Sequence, residues 1–156
     1  MKLLLIISAL ILPALVSCHR HVELVAPKPN YQMVIKNGTF FGMCGGYCLT
    51  ETTIREAGAS YRESSREPDK FPDKNKSLAL TADEWRDLVD AVDMGALTAL
   101  DSIIGCPDCA DGGGEWIEIQ NGAQTKRIVF EHGASVASID GLLEKIREIR
   151  ERAEFD

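Results

Sequence analysis

Apolar residues change their spacing several times along this chain, and each change marks an element. Leu3 to Leu12 is an apolar run relieved only by Ser8 and closed by Pro13. It is too short for a ~30 Å hydrocarbon core, which takes about 20 apolar residues, and it lacks the polar face of a core helix. Residues His19 to Asn30 show no useful periodicity and carry Pro27 and Pro29, which reads as a tether. Tyr31 to Ile35 is then a short β-leaning run that the turn dipeptide Asn37-Gly38 is expected to end. Leu49 to Ile54, rich in Thr and Ile, reads as a strand, with Glu56-Ala57-Gly58-Ala59 as a turn and Ser60 to Ser64 as its returning partner. Ser65 to Lys76 is charged, holds Pro68 and Pro72, and has no apolar face, so it is expected to be a surface loop.

The second half is more regular. Thr81 and Glu84 form a T-x-x-E capping box. Trp85, Leu88, Val89 and Val92 follow at i, i+3, i+4 and i+7, one apolar helical stripe that Gly95 is expected to end. Ala96 to Ile104 is left as a short helix or a loop. Trp116 to Gln120 and Thr125 to Glu131 flank Asn121-Gly122-Ala123-Gln124, a hairpin signal. Ile139, Leu142, Leu143, Ile146 and Ile149 then make a second amphipathic helix, with Glu144, Lys145, Arg147 and Glu148 on its wet side. The pattern predicts a two-layer α+β domain: an antiparallel sheet of about four to five strands with two helices on one face.

Lys2, the apolar run and Leu15-Val16-Ser17-Cys18 together resemble a bacterial lipoprotein signal ending in a lipobox. The resemblance implies cleavage before Cys18, acylation of Cys18, and a membrane partner reached through lipid. Several acyl chains at about 0.8 kcal/mol per buried methylene hold such an anchor lastingly. His19, rather than Asp, follows the cysteine, which by the same resemblance favours the outer over the inner membrane. The expected organisation is a signal peptide at 1–17, a tether at 18–30 and a single α+β domain at 31–156.

The 156 residues hold 17 basic and 24 acidic side chains, a net charge of −7. Loss of residues 1–17 removes only Lys2, leaving 16 basic against 24 acidic residues, or −8. That balance argues against nucleic acid as a partner and against a polybasic membrane-binding face. It leaves room for a protein partner, such as a basic hydrolase steered by charge.

Four cysteines follow Cys18: Cys44 and Cys48 as C-x3-C, Cys106 and Cys109 as C-x2-C, both among glycines. Export favours two disulfides, with three connectivities open. Bridges between the pairs would contribute about 4 kcal/mol in the chain-entropy model, and local bridges about 2 kcal/mol. Alternatively Cys44, Cys48, Cys106 and Cys109 supply four thiolates to zinc, although the gap between the pairs exceeds that of a zinc ribbon. A third reading is redox chemistry at Cys106-Pro107-Asp108-Cys109, which resembles thioredoxin-like sites, but the glycines after it should not continue as a helix.

Other chemistry is sparse. Asp108, Asp111 and Glu115 do not fit a calcium-loop spacing and read as turn-forming acids. His132 is the lone histidine of the domain and lacks a paired nucleophile; His19 and His21 read as solvated linker. Trp85 and Trp116 are expected to pack in the core or on a sheet face. No G-x-S-x-G, H-E-x-x-H or phosphate-cradling glycine loop occurs, so no catalytic residue is assigned and a binding or structural role is favoured over an enzyme.

From Cys44 onward the chain resembles a family of small bacterial lipoproteins that carry a domain of unknown function. Their hallmark is similar to C-F-G-x-C-P-x-Y; Cys44, Gly46 and Cys48 match its spacing, while Gly45 stands for Phe and Leu49 for Pro. The resemblance implies a strand, a helix, a hairpin and a closing helix, and no activity, cofactor or substrate. Cys106 and Cys109 lie outside the hallmark.

Overall fold

A computed structural model describes residues 33–155. The expected signal peptide and tether, with Cys18, His19 and His21, therefore lie outside the described residues. Ten short elements follow in the order β1 (Met33–Phe40), β2 (Tyr47–Arg55), β3 (Gly58–Ser65), β4 (Lys74–Leu78), α1 (Ala82–Asp90), α2 (Met94–Ala99), a 3-10 turn (Cys109–Asp111), β5 (Gly114–Asn121), β6 (Gln124–Glu131) and α3 (Asp140–Ala153). The strands form one sheet ordered β4-β3-β2-β1-β5-β6, antiparallel at every pairing. The α+β class is as expected, with six strands and three helices in place of four to five and two.

The first correction is at Asn37-Gly38. These residues do not turn the chain; they sit mid-strand in β1, which runs on to Phe40 between β2 and β5. Asn37 is fully buried and its amide nitrogen donates to Glu115 Oε1 (3.0 Å) and to the Trp116 carbonyl (2.9 Å). Gly38 lies under the Trp116 indole, where a Cβ would come within 2.3 Å of the Thr50 carbonyl and 2.6 Å of the indole. Turn chemistry and close packing call for the same two residue types, and here the packing decides.

The second correction is β4, inside the segment expected to be loop. Its inward positions are Lys74, Lys76 and Leu78, alternating with exposed Asn75 and Ser77. Both lysines contribute stems rather than apolar side chains: Lys74 Nζ lies over the Tyr47 ring (4.1 Å) and reaches Glu63, while Lys76 Nζ reaches the Glu154 carbonyl (2.5 Å). A period-2 pattern written in lysine is invisible to a search for apolar alternation.

The third concerns helix ends. α1 stops at Asp90, and Gly95 falls within α2, which Asp93 caps by accepting from the Ala96 amide (3.0 Å). The capping box on α1 is present in both directions: Glu84 N donates to Thr81 Oγ1 and Thr81 N to Glu84. The β5–β6 hairpin forms with a two-residue loop, Gly122 taking φ +60°.

One face of the sheet carries the core. Ile35, Ile54, Ile117, Ile119, Ile128 and Phe130 meet Trp85, Leu88, Leu97, Leu142, Leu143 and Ile146 from the helices. Among the described residues no helix is long and apolar enough to cross a membrane.

Candidate functional site

Both cysteine pairs lie at the same end of the sheet, because the β1–β2 loop and the approach to β5 leave it side by side. Cys44 and Cys48 are adjacent, with Cα atoms 5.7 Å apart; Cys106 and Cys109 are likewise adjacent, 5.5 Å apart. Both separations suit disulfides. Of the three connectivities open to the sequence, the geometry is compatible with the local one. The two pairs do not merge into a four-thiolate cage: among the described residues no cluster of three or more Cys, His, Asp or Glu side chains could hold a metal ion.

Asp108 ties the two loops together. Its Oδ1 accepts from the Gly42 amide and from the Gly113 amide, each at 3.1 Å. Its own amide donates to the Gly113 carbonyl (2.9 Å), closing the second loop on itself. Arg66 Nη1 donates to the Gly42 carbonyl (2.7 Å), and Glu131 Oε1 accepts from the Cys106 amide (3.0 Å). Glycine is needed at two contacts: a Cβ on Gly42 would meet the Asp108 carboxylate at 2.3 Å, and one on Gly113 the Phe41 ring at 2.3 Å. Phe41 in turn packs on His132, with ring centroids 5.0 Å apart.

The second loop is the strained one. Asp108, Ala110 and Asp111 all have positive φ (62°, 53° and 59°), a conformation costing a residue with a Cβ about 1–2 kcal/mol. Cys106 and Cys109 are exposed there, whereas Cys48 is 2% exposed in β2. Met43, at the tip of the first loop, is 79% exposed.

Behind this end lies a buried polar network that sequence patterning missed. Glu115 is fully buried on the inner face of β5. It accepts from Arg147 Nη2 (2.8 Å), Arg150 Nη1 (2.9 Å) and the Asn37 amide. Arg150 Nη1 also donates to Asn37 Oδ1 (2.7 Å), and Arg147 Nη2 to the Ala134 carbonyl (2.8 Å). Burial pushes the Glu115 carboxyl up, but the Arg147 hydrogen bonds, the Arg150 charge and Asn37 outweigh it, leaving it below the ordinary carboxylate range. The sequence does hold a signal: Glu115 shares the phase of Ile117 and Ile119, and Arg150 falls in the apolar stripe of α3 next to Ile149.

The remaining candidates fall apart as a site. Glu115 sits with its arginines and Asp108 with its amides, so the acids of the second loop do not converge. Trp85 packs in the core, and Trp116 lies on the opposite sheet face under the Arg127 guanidinium (3.8 Å). The arrangement can therefore present a fixed loop surface and, at Cys106 and Cys109, exchange a disulfide. No family model and no curated protein matches the chain.

Proposed function

We propose that the protein is a lipid-anchored cell-envelope lipoprotein acting as a non-enzymatic binding module, which presents the two cysteine loops to a protein partner. Acylation at Cys18, an outer-membrane address and membership of the small-lipoprotein family belong to the same proposal. The observation that carries it is the Asp108 junction, which joins two separately closed loops into one surface. Loops held in a single conformation lose little entropy on binding, and Met43 and Phe41 supply apolar contact at the tip.

Two experiments test it. A photo-crosslinking residue at position 43 in the intact cell is expected to trap a partner that one at Arg55, outside these loops, does not; equal labelling at both positions refutes the binding face. Replacing Cys18 with Ser is expected to release the protein from the membrane fraction, and unchanged fractionation refutes the anchor.

A second reading, thiol exchange, is favoured by the exposure of Cys106 and Cys109 in a loop of left-handed residues. Thiol titration of the native protein separates the two. Closed, unreactive pairs favour the binding module; a Cys106–Cys109 pair that opens under mild dithiol while Cys44–Cys48 stays closed favours exchange. Zinc bound to all four thiols would remove both.

A further inference from the structure

The second cysteine loop holds a backbone that its own residues disfavour. Between Gly105 and Gly113 five residues take positive φ, and three of them, Asp108, Ala110 and Asp111, carry a Cβ that opposes it. The segment is thinly anchored: Cys106, Cys109, Ala110 and Asp111 are all exposed. The Cys106 amide bond to Glu131 and the Gly42 amide bond to Asp108 are also exposed, and hydrogen bonds open to water add little net stability. The cross-link between Cys106 and Cys109 is therefore the strongest restraint on this backbone. Asp108 lies inside the ring so closed, and the ring sets the direction of its carboxylate.

That carboxylate is what joins the two loops. A single oxygen, Oδ1, accepts from the Gly42 amide of the first loop and the Gly113 amide of the second. Turning one side chain breaks both contacts. The first loop has its own ring, Cys44–Cys48, and its own tie from Arg66 to the Gly42 carbonyl, so it keeps its shape when the junction opens. The rings also differ in access. Cys106 and Cys109 are both open to solvent, whereas Cys48 is buried in β2, which pins one sulfur of the first ring.

We propose that the Cys106–Cys109 pair is a redox switch on the loop face: closed, it couples the two loops through Asp108, and opened by a dithiol, it lets them part. The proposal rests on the thiol-exchange reading of this pair and adds what the exchange controls. One thiolate of the dithiol attacks the sulfur of Cys106 or Cys109, breaking the protein disulfide and forming a mixed one. The displaced cysteine leaves as a thiolate and takes up a proton. The second thiolate of the dithiol then attacks the reductant's own sulfur, closes a disulfide within the reductant and expels the other cysteine, which is protonated in turn. Two electrons and two protons pass from the dithiol to the protein pair. Asp108 then leaves its left-handed conformation, Gly42 and Gly113 lose their acceptor, and a partner meets loops that it must order at an entropic cost.

The test is amide hydrogen exchange by NMR on the full chain, before and after mild dithiothreitol, with alkylation and mass mapping of the opened cysteines. Cys106 and Cys109 are expected to be alkylated while Cys44–Cys48 stays closed. Exchange at Gly42 and Gly113 should rise about tenfold or more, with Ile117 in the core unchanged. A Cys106→Ser, Cys109→Ser double variant, open without reductant, should show the same rise. In Asp108→Ala the dithiol should add nothing at Gly42, whose acceptor is already gone. A pair that stays closed in mild dithiol refutes the exchange reading and the switch with it. A pair that opens, or a double variant, with unchanged exchange at Gly42 overturns the switch alone and leaves the exchange reading standing.

Discussion

Replacing Glu115 with Gln asks what the buried network contributes. Gln keeps the shape and can still bond Asn37, but it removes the negative charge between two guanidiniums, leaving Arg150 only Glu154, 3.5 Å from its Nε. Arg150 and Arg147 have side chains 10% and 21% exposed, so water compensates neither fully. Removing one partner of such a buried pair costs about 3–5 kcal/mol, a large share of a typical 5–15 kcal/mol total. For a domain of this size the melting temperature should fall by about 10–15 °C. The pH dependence follows from linkage. The folded carboxyl lies below its ordinary range, so its stabilisation is complete above the unfolded pKa and is lost as pH falls through the folded one. Urea melts of the parent should therefore weaken in acid, and those of Glu115→Gln should weaken less. A variant within about 1 kcal/mol of the parent at neutral pH, or with an unaltered acid limb, would refute the assignment of a stabilising buried carboxylate.

Gly38→Ala should cost about 1–3 kcal/mol by overpacking against the Thr50 carbonyl and the indole, read by urea denaturation; an unaffected midpoint would contradict the mid-strand placement of Asn37-Gly38. Asp108→Ala should leave the core intact while raising hydrogen exchange at the Gly42 and Gly113 amides, since both lose their acceptor; unchanged exchange would show that the loops are not joined there. Thr81→Ala should lower stability by about 1 kcal/mol through loss of the α1 cap. The Thr81 amide, with Arg152 adding to it, draws the Glu84 carboxyl down to about 2. In the parent the reciprocal Glu84 bond should therefore last until pH approaches that value, which a carboxyl titration by NMR can follow.

The elements that were legible in the sequence are those whose burial is written in apolar residues. The α1 and α3 stripes and the β5–β6 hairpin bury Leu, Ile, Phe and Trp at the expected periods, and local turn chemistry agrees with the pattern. Where burial is written in polar residues the pattern misleads. β4 turns half-buried lysines inward, β1 buries Asn37 and lays Gly38 under an indole, and α3 runs past Ile149 because Arg150 is paired with Glu115 from 35 residues away. The four cysteines were legible as candidates, but their pairing was not. Which sulfurs lie adjacent depends on how each loop folds back on itself, and the meeting of Asp108 with Gly42 is a contact 66 residues apart.

Mass spectrometry of the unreduced protein taken from its native membrane tests the central proposal most directly. The account predicts a chain starting at an acylated Cys18, with one cross-linked peptide joining Cys44 to Cys48 and another joining Cys106 to Cys109. An unacylated terminus elsewhere, or sulfurs that are free or bonded between the two loops, would contradict it.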